Sequence, residues 1–205
     1  MIVSESGFRV ITDPYEPGGF GGAFRLGPPQ EGADVVLVSH EHADHNYVRA
    51  VLGNPEVVKG SRSVGKVSFE AVEAFHDAHG GREKGKNRLF CFELDGIRIC
   101  HLGDLGHLLT EDEAKALGRP DVLFIPVGGT FTIDATQATE VVERLNPRLA
   151  IPMHFKNPKV ALPLASVEDF LKGKENVERL STSEVEISRA TLPEKTKIVV
   201  LEPAR

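Results

Sequence analysis

The stretch VSHEHADH over residues 38–45 is the feature that most constrains this chain. Three histidines and two acids fall within its last six residues, directly after the apolar run 35–38. A short apolar run of this kind is typical of a buried strand. Imidazole and carboxylate are ligands that zinc, manganese and iron accept. The stretch therefore predicts a metal site at the point where a buried strand ends.

Three other predicted strands also end in metal-ligating side chains. His76, Asp104 and His154 each follow an apolar segment, and such ligands converge when strands lie side by side and end at one edge. A single structural zinc takes four ligands, whereas seven candidates fit two neighbouring ions that share a bridging carboxylate and a bridging water. The seven candidate ligands are His40, His42, Asp44, His45, His76, Asp104 and His154.

For two further histidines, His79 and His107, the sequence is compatible with more than one role. His79 competes with His76 as a ligand, although His76 comes directly after its strand. His107 lies three residues past Asp104, where a role in the site and a role in capping or at the surface are equally compatible with the spacing.

The pattern of elements predicts a mixed α/β protein in one domain over residues 1–205. Early strands come in hairpins and later strands alternate with helices. A loop rich in glycine and proline over 18–29 is expected to border the site. Strands are predicted over 7–12, 34–39, 56–59, 66–75, 89–94, 97–102, 121–127, 149–153 and 197–201, and helices over 111–117, 134–145 and 166–171.

The two cysteines of the chain lie on either side of a predicted hairpin turn. Asp95-Gly96 is a strong two-residue turn signal, and it places Cys91 opposite Cys100. We favour two small, buried, free thiols, because unpaired cysteine commonly behaves as a buried apolar residue. A cross-strand disulfide is the alternative.

The composition of the chain indicates which kinds of binding partner and which cellular compartment to expect. The 205 residues carry a formal net charge of −6, which does not suggest a nucleic-acid or membrane-surface binder. No run reaches the roughly 20 apolar residues that span a bilayer. The N-terminus lacks an apolar signal segment, so a cytoplasmic location is expected. The oligomeric state is not predicted.

The pattern HxHxDH over 40–45 resembles the signature motif of the metallo-β-lactamase superfamily. The resemblance extends over nearly the whole chain, through TDP at 12–14, His76, LGD at 102–104 and PMH at 152–154. The runs IPVGGT at 125–130 and IPMHF at 151–155 are similar to the small Zn-dependent hydrolase branch that includes the ascorbate-6-phosphate lactonase-like proteins.

The resemblance implies a four-layer αβ/βα sandwich, in which two mixed β-sheets pack face to face with helices outside. It implies two divalent ions, zinc first, with manganese or iron as alternatives. Asp13 would support the motif loop. The implied ligands are His40, His42 and His76 for the first ion, and Asp44, His45 and His154 for the second, with Asp104 bridging.

This resemblance predicts a hydrolase in which a metal-bridging hydroxide attacks an ester, a lactone or a phosphoester. Asp104 and Asp44 are the predicted catalytic residues. Asp44 would hold one ion and orient the hydroxide or deliver a proton to the leaving group. One alternative is a metal-binding or sensing protein with little turnover. Another is an iron oxidoreductase, against which His42 argues because the oxygen-reducing flavodiiron members have Glu there.

A basic segment predicts the charge of the substrate. Residues 81–88 (GREKGKNR) follow the His76 segment, and Lys156 follows His154 by two residues. Cations beside a metal pair in an acidic protein suggest a small anionic substrate, with Lys86 and Lys156 as the residues to test. The alternative is an ordinary solvated hairpin loop.

Overall fold

The structure is a computed structural model that describes residues 1–27 and 30–204. Twelve strands in these residues form two sheets. The first contains, in spatial order, β1 (Ile2–Val3), β2 (Arg9–Thr12), β3 (Val35–Leu37) and β4 (Glu56–Val58). The second contains β5 (Arg62–Val64), β6 (Val67–Phe75), β7 (Lys86–Leu94), β8 (Ile97–His101), β9 (Val122–Pro126), β10 (Leu149–Met153), β12 (Lys197–Val200) and β11 (Val177–Arg179).

Both sheets are mixed, as predicted. In the first, β1 is antiparallel to β2, whereas β2, β3 and β4 are parallel. In the second, β5 to β8 are joined in antiparallel pairs, and β8, β9, β10, β12 and β11 are parallel. It follows that β6, β8, β9 and β10 all run in the same direction. Their carboxyl ends therefore meet at one edge of the sheet.

The helices are short and few in the described residues. The three predicted helices are observed as α2 (Glu111–Leu117), α3 (Ala135–Leu145) and α4 (Val167–Leu171). A single irregular turn, α1 (Gly19–Gly22), and a 3₁₀ turn (Val48–Ala50) complete the set. No helix in the described part of the chain has the length and apolar composition needed to cross a bilayer. Of the predicted loop 18–29, Pro28 and Pro29 lie outside the described residues.

Three apolar layers explain why β3 is an unbroken apolar run. Val35 and Leu37 pack between the two sheets, against Phe90 and other residues of the larger sheet. Val36 packs on the outer face of the smaller sheet, in a cluster with Val51. A strand that is buried on both faces has no need of polar alternation. The third layer lies between the larger sheet and α2, α3 and α4.

These layers confirm the predicted sandwich fold. Helices α2, α3 and α4 cover the larger sheet, whereas Val48 of the 3₁₀ turn packs against the cluster on the smaller one. Short strands β1, β5 and β11 were not predicted, since two or three residues carry no measurable periodicity. Strand β7 begins at Lys86, three residues before its predicted start. The assignment of residues 1–205 to one domain stays a prediction.

The cysteine register is as predicted, but the favoured oxidation state is wrong. Asp95 and Gly96 adopt positive φ values of 51° and 72°, the conformation that a tight hairpin turn requires. The turn fixes Cys91 opposite Cys100 with the Cα atoms 4.2 Å apart, and the two sulfurs are joined in a disulfide. Both residues are buried in the layer beneath the helices.

We expect denatured protein, prepared without reductant and with free thiols blocked at lysis, to show no titratable thiol. The same protein after reduction should show two per chain, because the chain contains two cysteines. Titration with a chromogenic disulfide reagent makes this measurement. Two thiols before reduction would contradict the disulfide.

Candidate metal centre

The motif loop that follows β3 brings three side chains together. The backbone N–H groups of His45 and Asn46 both donate to the carbonyl oxygen of His42, at 2.9 and 3.0 Å. This tight turn folds the segment back on itself. The side chains of His40, Asp44 and His45 consequently offer ligand atoms within 4.8 Å of one another.

The other three candidates come from the edge where the parallel strands end. His76 follows β6, Asp104 follows β8 by three residues, and His154 follows β10. Because these strands run in the same direction, their ends place the three side chains beside the motif loop. Two more ligand groups result, and in each the ligand atoms lie within 4.8 Å of one another. His40, His42 and His76 form one group, and His45, Asp104 and His154 form the other.

All seven predicted ligands therefore lie in one cluster. The set of His40, His42 and His76 coincides with the one implied for the first ion. The remaining candidates fall into two overlapping groups rather than one, since His40 and His45 each belong to two of the three. The groups are contiguous, as a centre with two neighbouring ions requires.

Asp104 is at the middle of the cluster. Its Oδ2 atom lies 3.2 Å from Nε2 of His76, 3.3 Å from Nε2 of His45 and 3.4 Å from Nε2 of His154. The residue is only 2% exposed. One buried carboxylate oxygen thus faces imidazoles from three separate segments, which is the placement expected of a carboxylate shared between ions.

Several buried polar atoms of the cluster lack a partner. Among the described residues, no hydrogen bond is made by His40 Nε2, Asp44 Oδ1 or Asp104 Oδ1. Each unsatisfied buried polar atom costs about 1–3 kcal/mol. Divalent ions would give nitrogen and carboxylate atoms of this kind their partners. The donor set therefore fits a metal centre.

The pKa values describe how the cluster distributes charge. Burial lowers the pKa of His40 to about 3, so its imidazole is neutral and a nitrogen lone pair is available to a metal. Burial opposes a charged His45, but Asp104 holds the pKa of His45 well above its usual value. Burial also acts to raise the pKa of Asp104, yet His45 and His154 hold it well below the usual range. The site thus stabilises positive charge at its centre, the charge that a divalent ion carries.

Asp13 and Ser39 support the motif loop. Asp13 Oδ1 accepts from the Ser39 backbone N–H and Oδ2 accepts from Ser39 Oγ, both at 2.7 Å. Asp13 Oδ2 also lies 3.1 Å from Nδ1 of His45, as an ion-pair contact. Ser39 Oγ is 2.9 Å from Nδ1 of His40. The two residues therefore fix the rings of two candidate ligands, which leaves Nε2 of each ring toward the cluster.

Replacing Asp13 with asparagine should weaken metal binding about 10- to 100-fold, the usual effect of losing a hydrogen-bonded partner of a ligand. The amide keeps the shape but offers one acceptor oxygen where the carboxylate offers two. Competition titration of zinc against a chromophoric chelator measures the change. Asp34→Asn is the matched control, because Asp34 accepts a backbone N–H from Arg9 in the first sheet, in an exposed position. Equal affinities in both variants would contradict this role.

Two residues that the sequence analysis missed position the Asp104 loop. Asn87 is fully buried, donates to the Leu102 carbonyl oxygen at 2.9 Å and accepts from the Asp104 backbone N–H at 3.1 Å. His101 Nδ1 accepts from the Gly103 N–H at 3.1 Å. Gly103 has a φ of +51°, and a Cβ there would overlap Asn87 Oδ1 and Ser39. A polar residue at the start of a strand was the only sequence signal for Asn87.

The two open histidines lie outside the cluster. His107 Nε2 accepts from the Phe75 backbone N–H at 3.1 Å, and its Nδ1 lies 2.9 Å from the Leu108 carbonyl oxygen. Both nitrogens are thereby occupied, and Nε2 ties the loop after β8 to the last residue of β6. His79 is exposed, with Nε2 3.6 Å from Glu83. His76, rather than His79, is the residue that joins the ligand cluster.

The cluster opens into a cavity of about 680 Å³. The lining residues are Phe20, Glu41, His42, Ala43, Asp44, His76, Lys84, Asp104, Phe131, His154 and Leu162. The two cations singled out from the sequence, Lys86 and Lys156, are not among them. Lys86 lies on β7, where its ammonium pairs with Glu73 at 3.2 Å, and Lys156 is exposed. Lys84 of the same basic segment lines the cavity instead, and the anionic substrate stays a prediction.

Comparison with known proteins identifies the family to which this chain belongs. A family model described as the beta-lactamase superfamily domain matches residues 1–154. A metal-dependent hydrolase of Thermococcus onnurineus is 29% identical over 194 residues, which cover 80% of this chain and 84% of that protein.

Solved structures agree with this match. A protein of Thermotoga maritima, described as a Zn-dependent hydrolase of the metallo-β-lactamase superfamily, is 39% identical with a TM-score of 0.76. The match covers 94% of this chain and 88% of that one. A Parabacteroides distasonis protein with 19% identity and a TM-score of 0.56 covers 98% of this chain and 97% of its own, and shares the fold.

Proposed function

Because the chain belongs to the metallo-β-lactamase superfamily, we propose that it is a metal-dependent hydrolase whose seven-residue cluster holds two divalent ions. The position of Asp104 carries the proposal, since one buried carboxylate oxygen lies within 3.4 Å of three imidazole nitrogens. His40, His42 and His76 would hold one ion, Asp44, His45 and His154 the other, with Asp104 between them. Imidazole and carboxylate ligands favour zinc, with manganese or iron as alternatives.

Bound divalent ions lower the pKa of water toward neutrality and neutralise charge that develops on a carbonyl or phosphoryl oxygen. The chain's own residues would transfer the proton and hold the ligand side chains in place. Asp44 lines the cavity and has a buried, unpartnered Oδ1, so its carboxylate can accept a proton from water and return it to a leaving group. Asp13 and Ser39 keep His45 and His40 in place.

Ser39 does not serve as a nucleophile in this scheme. It is fully buried, and its Oγ is occupied by Asp13 at 2.7 Å and His40 at 2.9 Å. Water is therefore the attacking group. This supports hydrolysis rather than transfer through a covalent acyl-enzyme.

The substrate is a small molecule with an ester, lactone or phosphoester bond. A cavity of about 680 Å³ lies within the range typical of sites for small ligands, roughly 300–1,000 Å³. One metal pair serves acyl and phosphoryl centres alike, so the fold by itself does not select the bond, and the superfamily name is no argument for β-lactams.

The proposal is tested by screening metal-loaded protein against chromogenic esters, lactones and phosphodiesters. We expect turnover of at least one class, lost on treatment with a chelator and restored by zinc or manganese. No turnover of any class by protein with full metal content would contradict the proposal and favour a metal-sensing role. Bound iron with oxygen consumption would favour an oxidoreductase.

A further inference from the structure

The cavity in front of the ligand cluster is lined by apolar and charged side chains as well as by candidate metal ligands. Beyond the candidate ligands it is lined by the apolar side chains of Phe20, Ala43, Phe131 and Leu162, by Lys84, and by Glu41, whose carboxylate pairs with Lys59 Nζ at 2.9 Å. Among the described residues that line it, Lys84 supplies the only ammonium or guanidinium group. A cavity with apolar walls and one cation suits a ligand that has an apolar body and one negative charge.

Lys84 is held in place at both ends. Its backbone N–H donates to Asp77 Oδ2 at 2.8 Å, and Asp77 accepts three further N–H groups of the same loop, from His79, Gly81 and Glu83. Its Nζ donates to the carbonyl oxygens of Phe131 at 3.0 Å and Thr130 at 3.3 Å. A side chain fixed in this way loses little further freedom when it binds a ligand.

The charge of Lys84 is not neutralised by an ion pair in the part of the chain that the structure describes. Two other cations of the segment differ, because Lys86 and Arg88 pair with Glu73 at 3.2 and 3.3 Å. An ammonium has three N–H groups, and the two carbonyl oxygens use two of them. The third is available to an anionic oxygen.

We propose that Lys84, with the apolar wall of Phe20, Phe131 and Leu162, forms a subsite that selects substrates with an apolar body and a carboxylate or phosphate group. The inference rests on the proposed hydrolase function and names its substrate class. Lys84 acts here as a specificity residue, because it binds the part of the substrate that does not react. The nearby ring of Phe131, whose centroid is 5.7 Å from Nζ, offers an apolar surface beside the charge.

The test compares ligands that differ only in charge. Metal-loaded protein is titrated calorimetrically with 4-phenylbutyrate, 3-phenylpropylphosphonate and the neutral 4-phenylbutanamide. Lys84→Met keeps most of the stem and removes the charge. We expect it to weaken one or both anionic probes about 10- to 100-fold, the range for a charge-assisted hydrogen bond, and the amide by less than about 3-fold.

Two variants control for indirect effects. Lys86→Met removes a cation from the same segment but outside the cavity, so its affinities should equal those of the wild type. Lys84→Arg retains the charge and should retain the preference for anionic probes. Metal content and melting temperature of each variant are measured alongside.

The outcomes separate the subsite from the hydrolase. A loss confined to the carboxylate or to the phosphonate supports the proposal and names the anionic group. Equal weakening of the anionic and neutral probes, or unchanged anion affinity, overturns it. Anion binding that depends on Lys84 without turnover of any substrate would leave the subsite standing and contradict the hydrolase. Turnover with no Lys84-dependent preference would contradict the subsite alone.

Discussion

Replacing Asp104 with alanine should abolish the two-ion centre and lower kcat/KM by more than about 100-fold, since loss of an outer partner of a ligand alone costs about 10- to 100-fold. The residue is 2% exposed and its Oδ2 lies within 3.4 Å of three imidazole nitrogens. Without it, His45, His76 and His154 face one another with no negative charge between them. We therefore expect bound metal to fall below the wild-type content and turnover to fall with it.

The measurement combines elemental mass spectrometry with steady-state kinetics on the substrate found by screening. Asp112→Ala is the matched control, because Asp112 is an exposed acid in the first turn of α2 and is not among the candidate ligands. Circular dichroism establishes that both variants are folded. Wild-type turnover in Asp104→Ala would refute the central position of this carboxylate.

The second large effect is expected from Gly106→Ala, a change that adds one methyl group. The Gly106 backbone N–H donates to the Phe75 carbonyl oxygen at 2.9 Å, so the loop after β8 lies directly against the end of β6. A Cβ at position 106 would overlap the backbone C and O atoms of His76 and the N atom of Asp77. Because backbone atoms cannot rotate away, the two loops must separate, and His76 moves relative to Asp104.

We expect Gly106→Ala to lower kcat/KM about 100-fold, the effect of misplacing catalytic groups by roughly 1 Å. Overpacking should also reduce the free energy of unfolding by about 1–3 kcal/mol. Kinetics and urea denaturation measure the two effects. Gly60→Ala serves as the control, since a Cβ there meets no atom within 4 Å. A Gly106→Ala variant with the activity and stability of Gly60→Ala would show that the loops are not in tight contact.

The ligand cluster was predictable because its signals are local. Within 40–45 the motif spacing is read directly from the sequence, and each of His76, Asp104 and His154 follows its strand closely. Parallel strands place their ends at one edge, so strand order did not have to be known in detail. The structure brings all seven residues into contiguous groups. The capping box that begins α2 is an equally local feature, in which the Thr110 and Glu113 side chains each accept the other residue's backbone N–H.

What the sequence did not reveal depends on contacts between distant segments. Asn87 bonds to residues 15 and 17 positions away, and Lys84 to carbonyl oxygens 46 and 47 positions away. No periodicity or spacing records such contacts. Lys86 and Lys156 were singled out for nearness in sequence to ligands, but nearness along the chain does not place a side chain in the cavity. The state of Cys91 and Cys100 was misjudged for a different reason, since register fixes their separation but not their oxidation.

The most direct test of the two-ion centre is the metal content per chain of protein purified without chelator or added metal, measured by elemental mass spectrometry. We expect about two zinc or manganese ions per chain, as a bridged pair requires. Fewer than one ion per chain, with no increase after reconstitution, would contradict the assignment of these seven side chains as metal ligands.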